Sequence, residues 1–155
     1  MKADTDVTPP GDAGSTKPPA RVAVKWAGGH AFETGRPDGP MVRFDGGGES
    51  GQSPADALLS ALASCSSIDV VDILAKRRTP VESLEVNVIG ERVDTIPRRF
   101  KHITLQFRIG GTGIERDQAE RAIMLAVTKY CTVRDSLRPD IVVDWTLELE
   151  NEAKV

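Results

Sequence analysis

The segment SPADALLSALASCSSIDVVDIL, residues 53–74, decides the fold, because its long apolar pattern lacks the alternation of a strand. Ser53 suits a helix N-cap, Pro54 suits the first helical position, and Asp56 supplies an acid in the first turn. We expect the helix to continue to Arg78, where a cationic last turn complements its dipole and a proline follows. The segment therefore predicts one unusually long helix.

Nearly all sides of this helix are apolar, since residues 57–63 contain no polar side chain except Ser60. Such a helix needs burial on several sides, either under a sheet or against a second copy of itself. Its middle carries Cys65, one of two cysteines in the chain. A free cysteine at such a position is most often a small buried hydrophobe. Whether Cys65 also has a chemical role depends on the groups that surround it.

The part of the chain that precedes this helix predicts a tail and a small sheet. Residues 1–20 are rich in proline and polar residues and offer little to bury, so we expect a disordered N-terminal tail. In the next segment, Val22, Val24 and Trp26 alternate with polar or small residues, which predicts a half-buried strand. Two further strands are expected at residues 30–34 and 41–45, which completes an antiparallel meander.

The part that follows the helix alternates between strand and helix patterns. SLEVNVIGERV and HITLQFRIG show a period of two, whereas residues 114–130 place apolar side chains at helical spacing. Thr132 can cap a short helix through Leu137, and IVVDWTLELE is a final strand. The predicted order is βββ-α-ββ-α-α-β in one α+β domain over residues 21–150.

Composition and charge exclude several classes of function. The chain has 155 residues, 28% of them charged, and a net charge of −3, so it lacks the basic field of a nucleic-acid-binding protein. No run of about 18 or more apolar residues predicts a membrane span. The first residues lack the apolar core of a secretory signal, so we expect a soluble cytoplasmic protein with reduced thiols.

Most kinds of active site fit this sequence poorly. Cys65, Cys131, His30 and His102 show none of the paired spacings of a zinc site. The glycine-rich run GGGESGQSP lacks the Lys-Ser/Thr ending of a phosphate-binding loop. A hydrolase would need a histidine base, and His102 is expected on the solvated face of its strand.

Two thiols are a better basis for chemistry. Peroxide reduction requires a thiolate close to a positive group, its oxidation to a sulfenic acid, and a second thiol that closes a disulfide. Cys65 and Cys131 can fill these roles. Burial in the middle of a helix would raise the pKa of Cys65, and Asp69 would do the same if it pointed at the sulfur, so an arginine from elsewhere is needed.

Three stretches carry a family resemblance: RFDGGGESGQSPADALLSALASC, SIDVVDIL and KYCTV. They resemble the OsmC/Ohr family of osmotically inducible and organic hydroperoxide resistance proteins, and the resemblance extends from Arg21 to Glu150. It implies an OsmC-like fold and an intertwined homodimer in which the two long cysteine-bearing helices pack at the centre. A partner subunit would then bury the apolar helix.

The resemblance also implies roles for individual residues. Cys65 corresponds to the peroxidatic cysteine and Cys131 to the resolving cysteine. Arg43 matches the position at which the OsmC-type branch carries an arginine, whose permanent charge can stabilise a thiolate and orient a hydroperoxide oxygen. Arg36, on a turn, is an alternative source of that charge.

The acidic partner of this arginine is where the sequence departs from the family pattern. Peroxidase members place a glutamate directly after the proline, but here that residue is Ala55 and the acid is Asp56. One position turns a helical side chain by about 100°, and Asp56 also suits a capping box. In this respect the chain resembles the less characterised OsmC-like branch.

The resemblance predicts a thiol-dependent peroxidase that reduces organic hydroperoxides to alcohols in oxidative stress defence. An external dithiol would reduce the Cys65–Cys131 disulfide, and no metal, flavin or haem is implied. Two alternatives stay open. One is a dimeric OsmC-like binding protein for a small apolar or thiol-bearing ligand, with Cys65 mainly structural, and the other is a redox-sensing interaction protein.

Overall fold

A computed structural model describes residues 17–151 of the chain. This range forms two compact units whose boundary falls between Gly51 and Gln52, in the glycine-rich run, and each unit is described by itself. Residues 1–16 of the predicted tail lie outside the described residues, and its last four residues are exposed without regular structure. The single domain expected over residues 21–150 stays a prediction.

The first unit is a three-stranded antiparallel sheet in the order β1-β2-β3. Gly28 and Gly29, both with positive φ, form the turn between the first two strands, as their lack of a side chain allows. All three strands predicted from the sequence are present, and their bounds are β1 Ala23–Trp26, β2 Ala31–Gly35 and β3 Val42–Asp45.

Several apolar side chains on one face of this first sheet are exposed. Val22, Val24 and Trp26 retain 65%, 64% and 71% of their accessible surface. Pairing of Val24 with Thr34, and of Thr34 with Val42, confirms that these side chains share one face. The expectation of a half-buried strand is therefore wrong for the single chain, because alternation shows which side chains share a face and not whether a further layer covers them.

The second unit contains three helices, one π-helical turn and a second sheet in the order β4-β5-β6. The central strand, β5, is antiparallel to β4 and parallel to β6. The element order βββ-α-ββ-α-α-β and the α+β class are confirmed. The bounds are α1 Pro54–Lys76, β4 Ser83–Arg92, β5 Phe100–Gly110, α2 Arg116–Leu125, the π-helical turn Ala126–Tyr130, α3 Thr132–Ser136 and β6 Val142–Leu149.

The core of the second unit lies between its sheet and its helices. Along β5 the four inward apolar side chains predicted from the sequence are almost fully buried; they are Ile103, Leu105, Phe107 and Ile109. One stripe of α1 packs into the same core and comprises Leu62, Ala63, Ser66, Val70 and Leu74. The long helix therefore buries one stripe within its own chain and leaves apolar residues on its other sides.

Both ends of α1 are set by local chemistry. The Ser53 hydroxyl accepts a hydrogen bond from the backbone N–H of Asp56 at 3.1 Å, so the predicted N-cap is confirmed. At the other end Arg78 adopts φ 64°, a left-handed conformation that cannot continue a helix. The helix consequently ends at Lys76, two residues before the predicted position.

By length and composition alone, α1 could also cross a membrane, with a mean hydropathy of 1.7 over its most apolar window. The sequence predicts no uninterrupted apolar run of this length, and Asp69 and Asp72 do interrupt the apolar residues of α1. A core helix of a soluble protein passes the same test, and the buried stripe of α1 packs against the core of the second unit. The apolar length of α1 is weak evidence for a span.

Candidate thiol site

The long helix α1 carries the first cysteine of the site. Cys65 is half-buried and packs against the core of the second unit. It directly precedes Ser66, a fully buried member of the inward stripe. The residue is thus close to the core and still partly accessible, a combination that a thiol needs to react with a small molecule.

A π-helical turn positions the second cysteine. At the end of α2 the backbone N–H of Cys131 donates to the carbonyl of Ala126 at 2.9 Å, five residues back. This adds one residue to the turn, so Tyr130 moves off the buried face and is half exposed, whereas Cys131 is only 3% exposed. Helical periodicity had predicted Tyr130 on the buried face, and the π turn is the reason that Cys131 lies there instead.

Cys131 is also the N-cap of the short helix α3. Its sulfur accepts a hydrogen bond from the backbone N–H of Arg134 at 3.3 Å. The sequence predicted Thr132 as this cap, but Thr132 is the first helical residue. The sulfur takes the place of the usual cap oxygen, so a partial positive charge of the helix N-terminus points at it.

The two thiols meet, although 66 positions separate them in the chain. Both cysteines are free, and their side chains are neighbours at the core of the second unit. Burial raises the pKa of the Cys131 thiol, and the neighbouring Cys65 raises this pKa further. Cys131 is therefore held as a neutral thiol beside Cys65.

Ser66 lies against the Cys131 sulfur as well. Its hydroxyl donates to the carbonyl of Leu62 at 2.9 Å and also contacts Cys131, where it lowers the thiol pKa. The Arg134 backbone N–H lowers this pKa in the same way. Because a hydroxyl has one hydrogen, the Ser66 group can serve the helix carbonyl or the sulfur at any moment. The net pKa of Cys131 stays raised because burial outweighs both donors.

Arg43, in the first unit, is already paired with an acid. Its guanidinium donates from Nε to Oε1 of Glu33 at 2.7 Å, and Nη2 donates to the same oxygen. The two residues are direct partners in the β2–β3 ladder. Both side chains are partly exposed, so the pair is open to solvent and screened by it.

The predicted acid, Asp56, has a different role in the structure. It is exposed on the first turn of α1, and its backbone N–H is the group that Ser53 caps. Among the described residues its carboxylate has no hydrogen bond back to Ser53, so only half of the capping box is present. Ala55, at the position of the family glutamate, is half-buried and packs against the core.

His102 pairs with carboxylates and not with either thiol. His102 is on the polar face of β5, as predicted, and its Nε2 lies 2.7 Å from Oδ2 of Asp144 on β6. Its Nδ1 lies 3.7 Å from Oε2 of Glu91 on β4. Over residues 17–151, no group of three or more His, Cys, Asp or Glu side chains is arranged to hold a metal ion.

The structure thus brings together two of the four predicted site residues, Cys65 and Cys131. Arg43 belongs to the first unit and Asp56 to an exposed turn, so their roles stay predictions. Sequence reasoning missed Glu33, which a hairpin register drawn between the two predicted strands would have placed opposite Arg43. It also missed Ser66, whose position directly after a cysteine was the one available signal.

Comparison with known proteins identifies a family and a relative by sequence. Residues 46–146 match the family model described as OsmC-like protein. Protein YhfA of Escherichia coli K12 is 35% identical over 130 residues, which cover 83% of this chain and 97% of that protein.

Two solved structures show the same fold. An OsmC-like protein from Mycoplasma pneumoniae superposes with a TM-score of 0.71 at 17% identity, and the match covers 83% of this chain and 95% of that one. The organic hydroperoxide resistance protein OhrB of Bacillus subtilis superposes with a TM-score of 0.56 at 21% identity, over 85% and 98% of the two chains. At these identities the superpositions establish the fold alone.

Proposed function

The chain belongs to the OsmC-like protein family, and from this premise we propose that it is a thiol-dependent peroxidase that reduces organic hydroperoxides to alcohols. The observation that carries the proposal is that the fold places the Cys65 and Cys131 side chains next to each other at the core of the second unit. Two cysteines 66 positions apart meet without forming a disulfide. Such a pair suits a thiol cycle better than a structural role, since a core hydrophobe needs no second thiol.

The proposed cycle assigns one role to each sulfur. The Cys65 thiolate attacks the distal peroxide oxygen, the O–O bond breaks, and the alkoxide leaves as the alcohol after it takes a proton. Cys65 is then a sulfenic acid. The Cys131 sulfur attacks it and releases water, which forms the Cys65–Cys131 disulfide. An external dithiol reduces this disulfide and is itself oxidised to a disulfide.

The raised pKa of Cys131 supports this division of roles. A neutral, buried thiol is a poor nucleophile toward peroxide, so Cys131 waits in reduced form while the more accessible Cys65 reacts. The Ser66 hydroxyl and the Arg134 backbone N–H can stabilise the Cys131 thiolate once this thiol loses its proton for the attack.

Arg43 is the proposed source of positive charge for the Cys65 thiolate. We assign Glu33 as its acidic partner, in place of the glutamate that the family pattern puts at position 55. Glu33 holds the guanidinium through Nε and Nη2, which leaves Nη1 free to donate to a sulfur or a peroxide oxygen. Asp56 remains the alternative acid.

We propose that the protein acts as a homodimer in the cytoplasm. Proteins of this family are generally soluble, and a reducing compartment keeps both thiols free. Apolar side chains exposed on α1 and on the first sheet support a second copy as the partner, since contiguous exposed apolar surface marks interaction sites. On α1 these side chains include Ile68 and Val71.

The test is the intact mass of the fully reduced protein after one equivalent of an organic hydroperoxide, with hydrogen peroxide in parallel. We expect rapid loss of two hydrogens, a Cys65–Cys131 crosslink in the digest, and faster reaction with the organic peroxide. Cys131→Ser should stop at the sulfenic acid, and Cys65→Ser should not react. Slow and unselective oxidation, or sulfinic acid at Cys65 without a crosslink, would exclude the cycle.

A second candidate is a binding protein for a small apolar or thiol-bearing ligand, with Cys65 mainly structural. It is favoured by Ala55, which removes the carboxylate that the family pattern places beside the reactive thiol. Replacement of Cys65 by serine separates the two functions. Peroxide turnover is lost under the first, whereas stabilisation of the protein by its ligand survives under the second.

A further inference from the structure

A cavity in the second unit is lined by four arginines and by no carboxylate of the described residues. It has a volume of about 410 Å³ and lies between the first turn of α1, the connection from β4 to β5 and the segment that follows α3. This volume is in the range of pockets that hold small organic molecules. None of the residues assigned to thiol chemistry lines it.

One part of the cavity wall is apolar. Leu58 of α1, Phe100 of β5, Leu137 and Ile141 contribute hydrocarbon surface. Apart from the arginines, the one polar side chain in the wall is that of Ser136. A ligand with several polar groups would find few partners there, whereas an alkyl chain or an aromatic ring would be removed from water.

The other part of the wall is formed by four arginines: Arg92, Arg98, Arg99 and Arg138. Among the described residues they share a single carboxylate, that of Asp140, which binds Arg138 at 3.0 Å and Arg99 at 3.4 Å. Four guanidinium groups around one carboxylate repel one another, so an anion that enters the cavity relieves this repulsion.

Two of these arginines have no acidic partner in the part of the chain that the structure describes. Arg92 stacks over the ring of Phe100, with its Cζ 4.8 Å from the centroid. Arg98 donates only to the carbonyl of Val93, at 3.5 Å. Since a guanidinium carries five donors, most of the donors of both residues remain available. The N-terminal turn of α1, which forms one side of the cavity, adds a positive dipole end.

We propose that this cavity binds an amphipathic monoanion, a carboxylate that carries an aliphatic chain. Arg98 and Arg92 bind the carboxylate, and the apolar wall around Leu58 and Phe100 receives the chain. Planar guanidinium groups match a carboxylate through paired hydrogen bonds, which a neutral head group cannot replace. The site requires no thiol chemistry, so it stands or falls independently of the proposed peroxidase.

The cavity also lies along the cysteine-bearing helix. Leu58 and Cys65 are seven positions apart, two helical turns, and share one face of α1. This corresponds to a distance of about 10 Å along the helix axis. Cys65 itself does not line the cavity, so the proposed ligand site is separate from the thiols.

The test is a calorimetric titration of the reduced, full-length protein with decanoate, 1-decanol and inorganic phosphate at low ionic strength. We expect decanoate to bind about tenfold or more tightly than 1-decanol, because a hydrogen bond to a charged group outweighs one to a neutral group. Phosphate alone should bind weakly, since it lacks the chain. Affinity for decanoate should fall as salt is added.

Variants locate the site. Arg98→Gln and Arg92→Gln should each weaken decanoate binding about five- to tenfold. The control is Arg121→Gln, an equal charge change on an exposed residue of α2, which should bind as the wild type does. Circular dichroism and thermal midpoints establish that the variants are folded. Cys65→Ser should keep the affinity, so loss of turnover and loss of binding are distinguishable.

The proposal is overturned if 1-decanol binds as tightly as decanoate, or if Arg98→Gln and Arg92→Gln both bind like Arg121→Gln. It is also overturned if phosphate alone binds as tightly as decanoate, because the cavity would then be a general anion site with no use for its apolar wall.

Discussion

The two sheets of the protein have the same alternating sequence pattern and opposite burial. In the first sheet Val24 and Trp26 are 64% and 71% exposed, whereas in the second Ile103 and Phe107 are 1% and 2% exposed. Both pairs alternate with polar or small residues in the same way. The difference comes from what lies over each sheet, since the helices of its own unit cover the second.

An alternating pattern therefore predicts which side chains share a face of the sheet. It does not predict whether another layer of the protein covers that face. The helices of its own unit bury the apolar face of the second sheet. The first sheet leaves an apolar face that another surface can cover. A second copy of the chain is the proposed covering. The following predictions test whether the two sheets differ in this way, from the largest expected effect to the smallest.

The largest effect is expected in the second sheet. Phe107→Ala should reduce the free energy of unfolding by about 3–5 kcal/mol, because it leaves a cavity in a packed core. Chemical denaturation at low protein concentration measures this loss. Trp26→Ala in the first sheet is the matched change, and there it should cost less than about 1 kcal/mol. Equal costs would show that both faces are buried in the single chain.

Association of subunits is the next effect, and here the first sheet should dominate. Val24→Asp should weaken the proposed homodimer about tenfold or more, because it places a charge on the apolar face. Sedimentation over a range of concentrations measures the change. Ala23→Asp introduces the same charge at the neighbouring position on the opposite face and should leave association unchanged. If both variants dimerise like the wild type, the exposed face is not the interface.

A smaller effect concerns the polar faces of the sheets. Arg43→Lys should lower peroxide turnover about tenfold, since lysine keeps the charge but loses the planar fork that Glu33 holds. Stopped-flow kinetics measures turnover, and the ultraviolet absorbance of the Cys65 thiolate against pH shows whether its ionisation shifts. Arg108→Lys is the matched control in the second sheet, where Arg108 pairs with Glu150 at 3.3 Å. An unchanged Arg43→Lys enzyme would exclude Arg43 from catalysis.

The smallest effect is on the pH dependence of stability, which we expect to differ between the two units. Burial raises the pKa of Cys131, so the folded state binds this proton more tightly than the unfolded state. The stabilisation is complete below the usual thiol pKa, near 8.5, and is lost as the pH rises through the folded value. Cys131→Ser should flatten this alkaline decline of the thermal midpoint.

In the first unit the pH dependence of stability has the opposite sign. Hydrogen bonds from Ser50, and one from the Gly47 backbone, lower the pKa of Asp45 to about 2. Its stabilisation is present above the ordinary carboxyl pKa and is lost as the pH falls toward 2. Asp45→Asn should flatten the acid limb alone. A variant that altered both limbs would show that the two residues do not report on separate units.

Local patterns predicted most of the fold. The order of the elements, the start of α1 at Pro54 and the inward face of β5 follow from capping chemistry and from the periods of helix and strand, which act within a few residues. The π-helical turn before Cys131 could not be predicted this way, because its extra residue breaks the helical period. The candidate site was therefore predicted as four residues, Cys65, Cys131, Arg43 and Asp56, and not as their geometry.

The sequence by itself determined which residues share a face and which stretches begin or end a helix, because these properties depend on steric and hydrogen-bonding preferences of neighbouring residues. Only the tertiary structure decided that Cys65 and Cys131 are neighbours and that the face of Val24 stays exposed. Each of these outcomes depends on how distant segments pack together, and no local pattern in the chain encodes that packing.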